Sequence, residues 1–399
     1  MLEKKVNRLK NKFNIPKNVF ALGWVSFFND FASEMVYPIV PIFLTTFLGA
    51  PVSIVGVIEG IAEATASILK VFSGWFSDRF QKRKPFAVAG YSLSTFSKLV
   101  LSLSYIWPFV LIARFLDRFG KGIRTSARDS LITESSPENI RGKSFGFHRA
   151  LDTLGAVFGP LAAILFLAIF NDNLRLVFYI AIIPGIIGVI LLIIFVKEKK
   201  KSPLSFTDLK LRWRDVSHPF KTFLFVSIIF SIGNSSDAFL ILRAQDLGLT
   251  IKFTIFAYVL FNLTYSLFSV PAGVIVDKIG ARKVLTMGFF IFAIVYFFLG
   301  FINRSLYIWF LFPIYGIYMA LTEGVSKAYI SLLVPAEKSG TAFGIYQTSI
   351  GICSFLSSLI AGLMWNYINV RVPFYFGSMT AVIAAVLFIV ISRRIKTVK

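Results

Sequence analysis

Between residues 30 and 152 the sequence sets acids and bases at helical spacing inside segments that are otherwise apolar. Asp30 and Glu34 stand four residues apart, as do Glu59 and Glu63, so each pair shares one helix face. Arg114, Asp117, Arg118, Lys121, Arg124 and Arg128 recur at steps of three and four and form one stripe, which Asp129 borders. Farther on, His148, Arg149 and Asp152 precede Gly155-x-x-x-Gly159-Pro160. Charges in such a setting must face a protein interior or a water-filled cavity, because lipid tails cannot solvate them. Carboxylates placed this way serve three kinds of chemistry: proton exchange, contact with a polar solute, and ligation of a hard cation through oxygen. A site that releases its proton when solute or Arg114 approaches, and regains it from the other side, couples two movements. The competing reading is a permanent ion pair with an arginine, Lys98 or Lys70, and both readings stand at this point.

The elements that must position these groups are membrane spans. Of the 399 residues, 56% are hydrophobic and 16% charged, and the mean hydropathy is +0.74, values that a water-soluble domain of ordinary surface does not sustain. Segments long enough to cross a hydrocarbon layer of about 30 Å fall at 18–48, 52–76, 85–106, 107–133, 142–169 and 174–196, then at 222–245, 251–276, 282–302, 305–334, 341–364 and 373–392. The expected fold is therefore an all-α membrane protein of twelve transmembrane helices in two six-helix bundles, 18–196 and 222–392. A basic cytoplasmic linker, 197–221, joins them, and 1–17 and 393–399 are cytoplasmic ends. Residues 1–17 are lysine-rich, without a short apolar core and small-residue cleavage site, so the first span is expected to act as its own anchor.

The net charge of +22 takes its meaning from its distribution. Of the 42 Lys and Arg, with residues at span edges counted with the neighbouring connection, 28 lie at the ends and in every second connection, 10 deeper inside spans, and only Arg175, Lys252, Arg304 and Arg371 in the alternate connections. This asymmetry follows the positive-inside rule and puts both termini in the cytoplasm of a multi-pass cell-membrane protein, with no call for nucleic acid. One cysteine, Cys353, excludes an internal disulfide and a multi-cysteine metal site, and two histidines argue against a histidine-built one. The GxxxxGK[ST] loop of ATP-driven proteins is lacking, as is a partnered nucleophile, so the expectation is secondary transport without a cofactor, not enzymatic work.

The two halves repeat. Pro137-x-x-x-x-Gly142-x-x-Phe145-Gly146 recurs at Pro335-x-x-x-x-Gly340-x-x-Phe343-Gly344, an offset of 198, and Gly74-x-x-x-Asp78-Arg79 recurs at Gly273-x-x-x-Asp277-Lys278, an offset of 199. Both copies fall on the same membrane side, as in a parallel duplication about the membrane normal. At these residues the chain resembles the major facilitator superfamily, and the resemblance runs from the first span to the twelfth. The stretch Gly74 to Lys84 is similar to that family's signature between spans two and three, with Gln81 where glycine is usual; the second copy keeps Gly280. Gly155-x-x-x-Gly159-Pro160 resembles the exporter motif of drug:proton antiporters, without its further glycines, and Arg114 resembles their buried arginine, although Asp117-Arg118 replaces the usual glutamine-glycine.

The resemblance implies a cytoplasmic gate, here Gly74, Asp78, Arg79, Arg83, Arg124, Arg128 and Asp129, with Gly273, Asp277 and Arg282 as the second copy. Arg114, deepest on its span, is expected at a substrate or at Asp30 and Glu34. Arg149 and Asp152 are either a local pair or a solute contact. Gly155, Gly159 and Pro160 serve close packing and bending. In the second half Asn234 and Asp237 are the cavity candidates, whereas Glu323 and Lys327 read as a self-contained pair. The expected function is proton-coupled export of a small organic solute or drug by alternating access. The alternatives are divalent-cation efflux on Asp30, Glu34, Glu59 and Glu63, solute uptake with protons, and a receptor on the same scaffold. The expected partners are a small-molecule or ion substrate, protons and the lipid bilayer, and the expected state is monomeric.

Overall fold

The structure, a computed structural model, describes residues 15–80, 82–137, 140–198, 217–334 and 339–394, with the side chains of 71–80, 141–143, 339–341 and 392–394 outside the description. All regular structure among the described residues is helical. The helices are α1 (Lys17–Val36, resumed at Val40–Ile42 and a π-turn Phe43–Phe47), α2 (Val52–Phe80), α3 (Lys84–Ser102), α4 (Trp107–Ser135), α5 (Arg141–Ile169) and α6 (Leu174–Phe195). They continue as α7 (His218–Gly233 and Ala238–Asp246), α8 (Ile251–Ile279), α9 (Ala281–Phe301), α10 (Ile308–Leu333), α11 (Ser339–Tyr367) and α12 (Val372–Arg394). These twelve follow the apolar segments of the sequence to within a few residues at most ends.

By length and apolar composition, nine helical stretches among the described residues suffice to cross a membrane. The three that fall short, α1, α3 and α4, carry Asp30 and Glu34, Lys98, and the Arg114–Asp129 stripe. The same helices thus lose apolar character and gain polar side chains. Elsewhere large apolar side chains face outward, as Ile183, Ile190 and Ile194 do on α6, which in water would be an unsatisfied surface and in lipid is a matched one.

α1 breaks where Pro38 and Pro41 remove backbone donors, so the ladder stops at Val36 and resumes at Val40. α7 breaks at Asn234–Asp237, the equivalent place in the second half. Side-chain caps start α6, α7 and α8, from Asn173, Ser217 and Thr250. The turn between α8 and α9 needs Gly280, whose φ of 89° a side chain would strain.

The chain divides into two compact units, Met1–Val40 with Ile68–Phe206, and Pro41–Ser67 with Thr207–Lys399. In the first, α1 packs on α5 and α6, and α3 on α4 and α6. The α1–α5 contact is backbone to backbone: a Cβ on Gly155 would press on the Phe27 carbonyl and Phe31 nitrogen, and one on Gly159 on the Phe31 carbonyl and Met35 nitrogen. In the second, α9 packs on α10 and α12, and α8 on α10. There α7 and α12 meet through Gly233 and Gly377. The start of α2 belongs to this unit because Gly56 and Gly60 admit the α11 backbone at Ser358 and Phe355, whereas the sequence reading groups it with the first six spans.

Candidate functional site

The α1–α5 contact brings two acids together. Asp30 and Asp152 lie within hydrogen-bonding range of each other, a meeting that Gly155 permits by letting α5 ride against the Asp30 turn. Asp152 accepts hydrogen bonds from Ser26 Oγ at 2.6 Å and from Arg149 at 3.0 Å. Asp30 accepts one from Asn29 Nδ2 at 3.1 Å, and the Arg124 guanidinium of α4 stands 4.0 Å from it. Arg124 is 4% exposed and also lies over the Tyr91 ring, 4.8 Å from its centre. Thus Arg149 and Asp152 do pair locally, yet Asp152 serves a larger cluster. Arg124, expected in the gate with Asp78 and Arg79, reaches the Asp30 carboxylate.

Arg114, expected at a substrate or at Asp30 and Glu34, stands 3.9 Å from Asp117, one turn along its own helix. Asp117 also faces Lys98 Nζ of α3 at 3.6 Å and accepts a short bond from Ser94 Oγ. Lys98, 3% exposed, donates to Ser33 Oγ at 3.2 Å and to the Ser94 carbonyl at 2.9 Å. The guanidinium groups of Arg114 and Arg118 both lie over the Tyr37 ring, at 5.2 and 5.8 Å. Ser33, Ser97, Lys98, Arg114 and Asp117 line a cavity of about 20 Å³, room for one or two waters. Sequence reasoning passed over Tyr91 and Ser94. A signal was there: Tyr91, Ser94 and Lys98 stand at i, i+3 and i+7, one face of α3.

In the second unit the polar groups collect at the α7 break and are nearly all neutral. Asn234 Nδ2 donates to Tyr318 Oη at 3.1 Å, Tyr315 Oη donates to Asp237 Oδ1 at 2.7 Å, and Ser235 and Tyr296 hydroxyls meet at 3.4 Å. Tyr296, Tyr315 and Tyr318 are fully buried and stack with Phe230, Phe289 and Phe292 into one aromatic block. Glu59, 1% exposed, accepts a long bond of 3.5 Å from Ser236 Oγ in the same break. Glu323, expected to pair with Lys327, accepts from Tyr265 Oη at 2.6 Å.

Four acids were expected as a candidate cation cage, Asp30, Glu34, Glu59 and Glu63. Among the described residues no three His, Cys, Asp or Glu side chains gather as metal ligands. Of the gate residues, the side chains of Gly74, Asp78 and Arg79 lie outside the described residues. Arg83 is buried and faces Glu134 at 3.6 Å, while the backbone N–H groups of Arg83 and Lys84 donate to the Glu198 carboxylate. Arg128 bonds its neighbour Asp129 at 2.9 Å. Gly273 and Asp277 are exposed, and a Cβ on Gly273 would meet open space. Arg282 is half-buried.

Comparison with known proteins agrees with this architecture. The sequence model of the Major Facilitator Superfamily matches residues 22–242 and 222–399. An MFS-type transporter of Methanocaldococcus jannaschii is 39% identical over 392 residues, covering 96% of each chain. The quinolone resistance protein NorA of Staphylococcus aureus is 24% identical over 227 residues, 55% of this chain and 56% of its own. Among solved structures, a POT family transporter in complex with 5-aminolevulinic acid superposes with a TM-score of 0.81 at 15% identity, covering 95% of this chain and 96% of that one. The nucleoside transporter NupG follows at a TM-score of 0.77 and 11% identity, covering 93% of this chain and 99% of that one. Those two likenesses speak to fold alone. A duplicated helical scaffold, a family model that matches both halves, and a relative alike from end to end lead to one conclusion: the chain belongs to the Major Facilitator Superfamily and is a membrane transporter, not an enzyme.

Proposed function

We propose that this transporter exports a small organic solute in exchange for protons, by alternating access in the cell membrane with both termini cytoplasmic. The observation that carries the reading is the contact of Asp30 with Asp152, with Arg124 poised 4.0 Å from Asp30. Two carboxylates this close in a dry setting are most stable with one proton between them, and an approaching guanidinium favours its release. A movement of α4 that brings Arg124 onto Asp30 therefore expels the proton, and its withdrawal lets one return. The partial likeness to NorA, named for quinolone resistance, supports export of an organic compound over uptake. The charge bias of the connections supports the orientation.

The test is reconstitution in vesicles with an internal pH dye and a panel of organic solutes. One solute should provoke proton movement in the parent protein. Asp30→Asn should reduce gradient-driven transport at least roughly tenfold while solute exchange without a gradient survives, because the amide imitates the protonated acid. Solute movement without proton movement in the parent would overturn the coupling. Undiminished gradient-driven transport in Asp30→Asn would remove this acid from it.

A further inference from the structure

We propose that Ser144, His148 and Asp152 of α5 form a proton wire, through which the Asp30–Asp152 pair exchanges protons with water at the start of that helix. The inference deepens the export reading and rests on it for the use to which the protons are put and for the cytoplasmic side on which the wire ends.

Spacing lays the groups in line. Ser144, His148 and Asp152 follow one another at steps of four residues, so they succeed each other along one face of α5. The line runs from near the helix start at Arg141 toward the tight Gly155 contact with α1, where Asp152 meets Asp30. Its flanks are apolar: Phe147 stacks on Phe20, and Leu151 lies close to Gly23 of α1. His148 is 4% exposed and Ser144 is fully buried.

Two atoms of this line lack the bonds that a structural polar group makes. Thr125, Thr133 and Thr153 each donate their hydroxyl hydrogen to the carbonyl four residues back, the usual way to settle such a side chain within a helix. Ser144 Oγ and His148 Nε2 are buried and make no hydrogen bond among the described residues. At the deep end Tyr91 Oη and one amino group of Arg124 are in the same condition, while the other amino group of Arg124 stands 4.0 Å from Asp30. Buried polar atoms without partners are costly, and a run of them beside a carboxylate is satisfied by a file of bridging waters.

The charges around the imidazole come from α5 itself, with Arg149 and Asp152, and from α4, with Arg128 and Asp129. Acids and bases thus face it in equal number. α1 brings Asp30, on the far side of Asp152, and α6 carries only Arg175, at its opposite end. The Asp129 side chain is 43% exposed, which opens the α4 side of the wire to water. In transfer, a proton from the acid pair adds to one imidazole nitrogen and another leaves the second nitrogen toward Ser144, whose hydroxyl takes it up and gives its own onward. The ring ends neutral as its other tautomer, the hydroxyl is unchanged, and the acid pair carries one more negative charge, which Arg124 faces.

Two measurements on the full-length protein test the wire. The chain has two histidines, so with His218→Gln the imidazole N–H signal in nuclear magnetic resonance of the detergent-solubilised protein belongs to His148. Its hydrogen should exchange with water rapidly. Ser144→Val should slow that exchange at least roughly tenfold, whereas Ser144→Thr, of the same shape but with a hydroxyl, should stay within about threefold of the parent. A packing effect moves both variants alike. In vesicles, His148→Gln should slow solute-evoked proton movement at least roughly tenfold while solute exchange without a gradient persists. Exchange in the parent as slow as that of the buried α5 backbone amides, equal slowing in the two Ser144 variants, or no slowing in either overturns the proposal. So does undiminished proton movement in His148→Gln, which decides the matter if the Ser144 variants do not fold. The exchange measurement involves neither solute nor gradient, so rapid, Ser144-dependent exchange in a protein that moves no protons with solute counts against coupling and supports the wire.

Discussion

The break in α1 and the break in α7 stand at equivalent places of a duplicated chain, yet they hold opposite chemistry. In the first unit the break leads from the Asp30–Asp152–Arg124 cluster to Tyr37, whose ring lies under Arg114 and Arg118. In the second, Asn234, Ser235 and Asp237 are hydrogen-bonded to Tyr318, Tyr296 and Tyr315, and the two carboxylates at the break, Asp237 and Glu59, each accept from a hydroxyl. The comparison separates what duplication preserved from what it released. Close glycine contacts beside the broken helices occur in both units, though between different helix pairs: α1 with α5 at Gly155 and Gly159 in one, and α7 with α12 at Gly233 and Gly377 in the other. The polar groups diverged, one half toward paired charges, the other toward an aromatic block.

The largest effect is expected where the halves are alike. Gly159→Val and Gly233→Val should each cost about 3 kcal/mol or more, because the new side chain meets backbone or a buried threonine. Gly324→Ala, where a Cβ meets open space, should not lose stability. Unfolding in detergent measures all three, and a mild effect at one tight glycine alone would break the equivalence. Next come the acids at the two breaks. Asp30→Asn should lose gradient-driven transport, whereas Asp237→Asn keeps an acceptor for Tyr315 and should retain it within about threefold. Equal loss in vesicle assays would mean that both halves carry charge chemistry.

Tyr315→Phe should cost about 1–2 kcal/mol of stability, since it strips the donor from Asp237 in a buried network. A stability unchanged from the parent would show that the aromatic block, not its hydroxyls, holds the second break. The smallest effect concerns the far loops. Arg175 bonds the Ser104 carbonyl at 2.9 Å and covers the Tyr105 ring, and Arg371 bonds Asn303 at 2.5 Å in the equivalent turn. Arg175→Gln and Arg371→Gln should each cost about 1 kcal/mol or less, in parallel, as half-exposed polar contacts do.

The fold was readable because hydropathy and proline act locally. The twelve apolar segments correspond to twelve helices, and the break in α1 falls at Pro38 and Pro41, residues without a backbone donor. Partners across helices were not readable. Helical periodicity places Arg114, Asp117 and Arg124 on one stripe but says nothing of which neighbour each meets. Arg114 is expected at a substrate or at the acids of α1, and the sequence gives no sign that Asp117, three residues along its own helix, also stands 3.9 Å from it. Nothing in the spacing of Glu59 announces its hydroxyl neighbour Ser236, 177 residues away. Such pairings depend on how α1, α4 and α5 rotate about their axes, which glycine contacts decide and sequence spacing does not.

The Gly155 and Gly159 contact has a consequence for how this chain can change over generations. Where two helices touch through main chain, the separation of the groups they carry is set by atoms that every residue type shares. The many phenylalanines and isoleucines on the lipid-facing surface are then free to drift with membrane composition and growth temperature, and the spacing of Asp30 and Asp152 does not drift with them. A lineage can retune its lipid-facing surface without rebuilding this pair of acids. The same arrangement leaves little room for gradual revision there, since the first added carbon on either glycine meets backbone.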